Sequence, residues 1–291
     1  MDQQQQDGQQ RQSRWHPTRR QLLWAGATVG LVLFTIAILI GYRYDITLWN
    51  WLKLLVVPAV IAGGGLWFNR QQRERELEIS RKQREQELKI AERRTQDEAL
   101  QAYLDQMSAM LIPTTDQPSL YKARPGDSLS SVARARTLTV LPRLDGDRKA
   151  RVVQFLYESG LIATEHQVLD LSGADLSGAV LSTASLRGAN LFEANLEGAY
   201  LHGAYLREAD LSSTDLEGAD LSYADLSGAY LYGANLSSAN LRAANLGGAK
   251  GWTEEQFTQA GSLEGATMPN GQKYEEWIKD QEGRNEDGAN K

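Results

Sequence analysis

Ala174-Asp175-Leu176-Ser177-Gly178 sets a register that Ala244-Asn245-Leu246-Gly247-Gly248 still keeps. Leucine recurs at every fifth position without a miss: Leu171, Leu176, Leu181, Leu186, Leu191, Leu196, Leu201, Leu206, Leu211, Leu216, Leu221, Leu226, Leu231, Leu236, Leu241 and Leu246. Alanine stands two residues before each, except for Leu169 before Leu171 and Thr214 before Leu216. A period of five is neither 3.6 nor 2, which excludes an amphipathic helix and an ordinary strand. It fits a chain that turns a corner every five residues and keeps each leucine inside. Gly, Ser, Asp and Asn are the residues that such corners tolerate. The alanine is then a second inward position with room only for a small side chain.

These A(D/N)LxG units resemble the pentapeptide-repeat family. The resemblance implies a right-handed, four-sided β-helix with four pentapeptides per coil. Sixteen units at that rate give about four coils, over residues 167–250. Residues twenty apart would then stack. The position before each leucine forms four columns: Asp170-Asn190-Asp210-Tyr230, Asp175-Asn195-Asp215-Asn235, Val180-Tyr200-Asp220-Asn240 and Ser185-Tyr205-Asp225-Asn245. No Asp lies above another, as like-charge repulsion between neighbouring rungs requires. Glu197 below Glu217 is the exception.

The 291 residues carry a net charge of −6 and no cysteine, which rules out disulfides and thiolate metal sites. His16, His166 and His202 are too scattered for a metal cluster. The repeats over 168–250 hold ten acids and four bases, whereas 121–151 holds eight bases and three acids.

Leu22 to Tyr42 contains no charge and is long enough to span a bilayer. A second apolar segment covers 48–68, with Lys53 near its start. Trp24, Tyr42, Tyr44, Trp49, Trp51 and Trp67 fall near the ends. The expectation is a two-helix transmembrane hairpin behind a basic, disordered tail at 1–21. Arginines precede the first span and basic residues follow the second, which places both termini in the cytoplasm of a bacterium, at its inner membrane. Thr18-Arg19-Arg20-Gln21-Leu22-Leu23 has some likeness to a twin-arginine signal, but no cleavage site follows.

Residues 69–112 read as one long helix with interspersed charge. Glu76-Leu77-Glu78-Ile79 recurs eleven residues later as Glu87-Leu88-Lys89-Ile90. An eleven-residue period keeps an apolar stripe on one side of a helix and can drive supercoiling. A homo-oligomerising stalk and a single solvated rod are both compatible with it. Residues 113–166 form a linker and a helical N-cap, with helices over Asp127–Leu141 and Asp147–Ser159. Arg134, Arg136, Arg143, Arg148, Lys149 and Arg151 lie there, either as an ordinary solvated surface or facing anionic headgroups. The five-residue pattern stops after Leu246. Thr253-Glu254-Glu255-Gln256 is a capping box that opens a C-terminal cap over 251–281, and 282–291 read as a disordered tail.

No catalytic, cofactor or metal constellation is present in the sequence. Two surface groups are candidates instead. Tyr200, His202, Tyr205, Arg207 and Tyr223 form an aromatic partner surface on adjacent sides, since exposed Tyr and Arg are common interface anchors. Phe192, Tyr230 and Tyr232 make a smaller aromatic group. Asp175, Glu197, Asp215 and Glu217 form an acidic face that could take a cation or a basic partner. The function expected is a non-enzymatic, membrane-anchored scaffold for an unknown protein partner. The alternative implied by the family is a DNA mimic that binds gyrase and gives quinolone resistance. Four coils with acids mixed among Asn and Tyr make a poor string of phosphates, so nucleic-acid chemistry is not expected.

Overall fold

The computed structural model describes residues 48–112, 119–162 and 167–280, with single positions between 30 and 39. His16, His166 and the 282–291 tail lie outside them. The chain divides into two compact units, Met1–Glu85 and Gln86–Lys291.

The first unit is dominated by the start of helix α1, Leu48–Leu111. Leu54, Leu55, Val60, Ile61 and Trp67 are exposed along it. No helix among the described residues is long and apolar enough to cross a membrane. This corrects the expected transmembrane hairpin and the placement at the inner membrane. Residues 48–68 do not form a helix of their own but run without a break into the charged stretch. Lys53, Pro58 and Gly63-Gly64-Gly65 interrupt their apolar character. Most of 22–42 falls outside the described residues.

The second unit is built on the repeats. All sixteen leucines are buried, as are most of the alanines that precede them. Single parallel bridges join residues twenty apart on four sides, such as Asp175 to Asn195, Val180 to Tyr200, Ser185 to Tyr205 and Asn190 to Asp210. Each side carries one bridged residue between two turns, and no strand exists among the described residues. The expected β-helix is corrected accordingly. A chain that turns every five residues has room for one paired position per side. Backbone hydrogen bonds knit the coils, for example Leu176 N to Asn195 O at 2.8 Å and Asn195 N to Ala174 O at 2.9 Å. The column is therefore a solenoid of turns.

The pattern does not stop at Leu246. Ser262 bridges Asn240 and Thr267 bridges Asn245, now at a spacing of twenty-two. Leu263 and Met268 take the inward places. The extra length holds helix α4, Glu254–Thr258, which a capping box starts. Gln256 donates from Nε2 to the carbonyls of Leu231 (2.9 Å) and Ala234 (2.8 Å) and so closes one corner. Thr267 then pairs antiparallel with Lys273, and Trp277 is buried.

Below the first coil lie helix α2, Ser128–Val140, and helix α3, Gly146–Glu158. Leu100, Tyr103 and Met107 of α1 pack into the same core. Their i, i+3, i+7 spacing is one face of a helix. Burial pushes the Tyr103 hydroxyl up to about 12, although its bond to Thr137 at 2.9 Å favours ionisation.

Candidate functional site

Each five-residue unit places one residue at the inner leucine position and the next two on the outer turn, where all but the buried Ser222 are at least partly exposed. The second of these adopts the left-handed conformation in all sixteen units, whether glycine or not. Glycine fits there at no steric cost. Tyr223 does not, yet it holds φ at 61°.

Tyr200, Tyr205 and Tyr223 are 56%, 55% and 60% exposed. Tyr200 sits one coil below Asp220 and Tyr205 one coil below Asp225. His202 stands beside Tyr200, and its ring meets the Tyr223 ring edge-on at 5.4 Å. His202 Nδ1 is 2.9 Å from the Ser222 hydroxyl, which donates to Asp220 at 2.6 Å. That contact fixes the imidazole against the column. Arg207 lies 3.4 Å from Glu208, and Arg187 approaches the same carboxylate at 3.8 Å. The structure thus brings His202 and Tyr223 into contact and anchors Arg207 beside Tyr205. The tyrosine rings remain open to solvent.

The acidic group is taken up differently. Asp175 accepts from Lys149 Nζ at 3.0 Å and from the Ser177 hydroxyl at 2.7 Å. Asp215 accepts from Asn235 Nδ2 at 2.9 Å and from the Glu217 N–H at 3.1 Å. Glu217 lies 3.4 Å from the same amide, and Glu197 is exposed. Among the described residues no group of three or more metal-ligating side chains converges.

The same ladder runs through the column. Asn240 donates to Asp220 at 3.0 Å and Asn245 to Asp225 at 3.1 Å. On the lowest coil, helices supply the donors. Arg134 Nε reaches Asp170 at 2.6 Å and its Nη2 bonds both the carbonyl and the hydroxyl of Ser172. Lys149 does the same to Asp175 and Ser177. Partial burial works against ionisation of Asp170 and Asp175. The serine hydroxyls, the two cations and the backbone N–H groups outweigh it and hold both carboxyls below the usual range. The sequence marks both cations as part of a basic cap but not their targets, because nothing in sequence sets the distance from residue 134 to residue 170. Their signal was the repeated Asp-Leu-Ser at 170–172 and 175–177.

In the smaller aromatic group Phe192, Tyr230 and Tyr232 are 38%, 36% and 57% exposed, and two of the three have neighbours. Lys250 Nζ lies 4.6 Å from the centre of the Tyr230 ring, and Tyr232 packs on Gly251, where a Cβ would come within 2.3 Å of the ring.

The family model described as Pentapeptide repeats matches residues 170–208, 184–222 and 209–248, with eight copies. The chain belongs to the pentapeptide-repeat family. A pentapeptide repeat protein from the Arabidopsis thaliana thylakoid lumen is 40% identical, with a TM-score of 0.17. The match covers 34% of this chain and 61% of that one, so this family member spans less than two thirds of it. A pentapeptide repeat protein from Nostoc Pcc 7120 is 36% identical over 33% of this chain and 77% of its own, with a TM-score of 0.21. QnrB1, a plasmid-mediated fluoroquinolone resistance protein, is 18% identical over 38% of this chain and 64% of its own, also with a TM-score of 0.21. Among curated proteins no match is found.

Proposed function

We propose that this pentapeptide-repeat protein is a non-enzymatic scaffold whose column binds a protein partner through Tyr200, His202, Tyr205, Arg207 and Tyr223. The observation that carries the reading is the cluster itself: Tyr200, Tyr205 and Tyr223 are each more than half exposed on adjoining sides of the column, with His202 in edge contact with Tyr223. Tyrosine gives a broad contact area for little lost rotamer freedom. The backbone beneath is bonded coil to coil, so the surface is already ordered before a partner arrives.

DNA mimicry gains no support from the geometry, because Asp170, Asp175, Asp215, Asp220 and Asp225 already accept bonds from neighbouring side chains.

Affinity capture with the wild-type chain, Tyr205→Ala and Tyr223→Ala tests the proposal. A protein retained by the wild type and lost from both variants supports it. Retention of every captured protein by both variants sinks it.

A further inference from the structure

Between α1 and α2 lies a groove of about 560 Å³. The two helices run antiparallel, since Gln106 meets Arg136, Tyr103 meets Thr137 and Gln96 meets Asp145. Ala99, Ala102, Val132 and Ala135 line the groove. Small side chains there let another backbone approach closely, and the space between two helices is a natural seat for a third. Leu88 lies seven and fourteen residues before Thr95 and Ala102, on the same face of α1, and is 71% exposed. It continues the groove as an apolar strip with no cover.

The α2 rim is basic, and the α1 rim carries Glu98, ion-paired to Arg94 at 2.9 Å, and Asp105, which accepts from Gln101 at 2.8 Å. Arg136 and Arg143 line the α2 side, and Glu98 lines the α1 side. Asp105 follows Glu98 by seven residues, two helical turns further along the same edge. Arg143 stands level with Thr95 and Glu98, and Arg136 level with Gln106.

We propose that this groove receives α1 of a second copy of the chain, parallel and in register, about a twofold axis along the helix. A twofold interface uses the same patch on both copies. With the axis along the helices, the two α2 helices fall on opposite sides of the central pair. Each copy's arginine rim then faces the other's acidic rim, Arg143 against the partner's Glu98 and Arg136 against the partner's Asp105. An antiparallel twofold would drive both α2 helices into the same space on one side. The parallel arrangement also sets Leu88 against its own equivalent, which extends the apolar seam beyond the groove. Rim charges of this kind select partner and register more than they add affinity.

The chain has no cysteine, so single-cysteine reporters are unambiguous. In the full chain, Leu88→Cys, Thr95→Cys and Ala102→Cys should each give an interchain disulfide in comparable yield. Arg93→Cys, on the opposite face, should give none. A yield confined to one of the three groove positions means antiparallel pairing and overturns the proposal. No disulfide at any of them, together with a monomer by sedimentation equilibrium, overturns it as well. Glu98→Arg with Asp105→Arg should raise the dimer dissociation constant at least tenfold. Adding Arg136→Glu and Arg143→Glu should restore it, with the helical circular dichroism unchanged throughout. Charge reversal without effect on the dissociation constant would remove the assigned register.

Discussion

Tyr223 joins backbone strain and surface exposure in one residue. Tyr223→Gly should relieve the left-handed conformation and leave thermal stability equal or higher, by up to about 1 kcal/mol, while reducing partner capture. Tyr223→Ala should reduce capture without that gain. Thermal denaturation beside a capture assay separates the two effects, and a large loss of stability in the glycine variant would contradict the reading. At Gly146 the constraint is steric. A Cβ there would fall 2.2 Å from the Gly178 carbonyl oxygen, and the Gly146 carbonyl itself accepts from Val180 N at 3.1 Å. Gly146→Ala should cost about 1–3 kcal/mol through displaced backbone, measured by denaturant unfolding. The five-residue spacing made the inward leucines and the turning positions legible, because both obey the same clock. The contact of Gly146 was not legible, since it depends on how α3 meets the first coil.

At the scale of elements, α2 and α3 are joined to the first coil by Arg134 and Lys149. Asp170 and Asp175 both titrate below their ordinary value of 3.8. A carboxyl depressed in the folded state contributes stability that is complete above that ordinary value and is lost as pH falls through the folded value. The cap should therefore loosen only below about pH 4, seen as earlier loss of hydrogen-exchange protection in 128–158 than in 190–250. Lys149→Met should remove most of its share of that acid sensitivity and cost about 1–2 kcal/mol at pH 7, because Asp175 keeps only Ser177 and some water. In the column, Asn240→Asp would replace a donor to Asp220 with a second charge one rung away. It should destabilise by about 0.5–1 kcal/mol at pH 7, and the difference should vanish at pH 3. The alternation of Asp with Asn or Tyr along each column is visible in sequence, but its donors are not. Arg134 and Lys149 looked like part of a solvated or lipid-facing surface, because their targets lie 26 to 38 residues away. The strands expected from the family resemblance are absent from the described residues, since single bridges suffice once every side is only one residue wide. The additional rung at Ser262 and Thr267 was hidden by the two extra residues that α4 introduces.

At the scale of the whole chain, the repeat column has a filled interior, a closed lower coil and an ordered upper cap, and what varies from side to side is its outer surface. Tyr200, Tyr205 and Tyr223 make the densest group of open rings on that surface, with Phe192, Tyr230 and Tyr232 a smaller group on another side. A photocrosslinking amino acid placed in turn at Tyr200, Tyr205 and Tyr223, and as controls at the exposed Glu217 and Ser238, tests this most directly. The account predicts one discrete crosslinked protein from the tyrosine positions and none from the controls. The same adducts from all five positions, or from the controls alone, would contradict it.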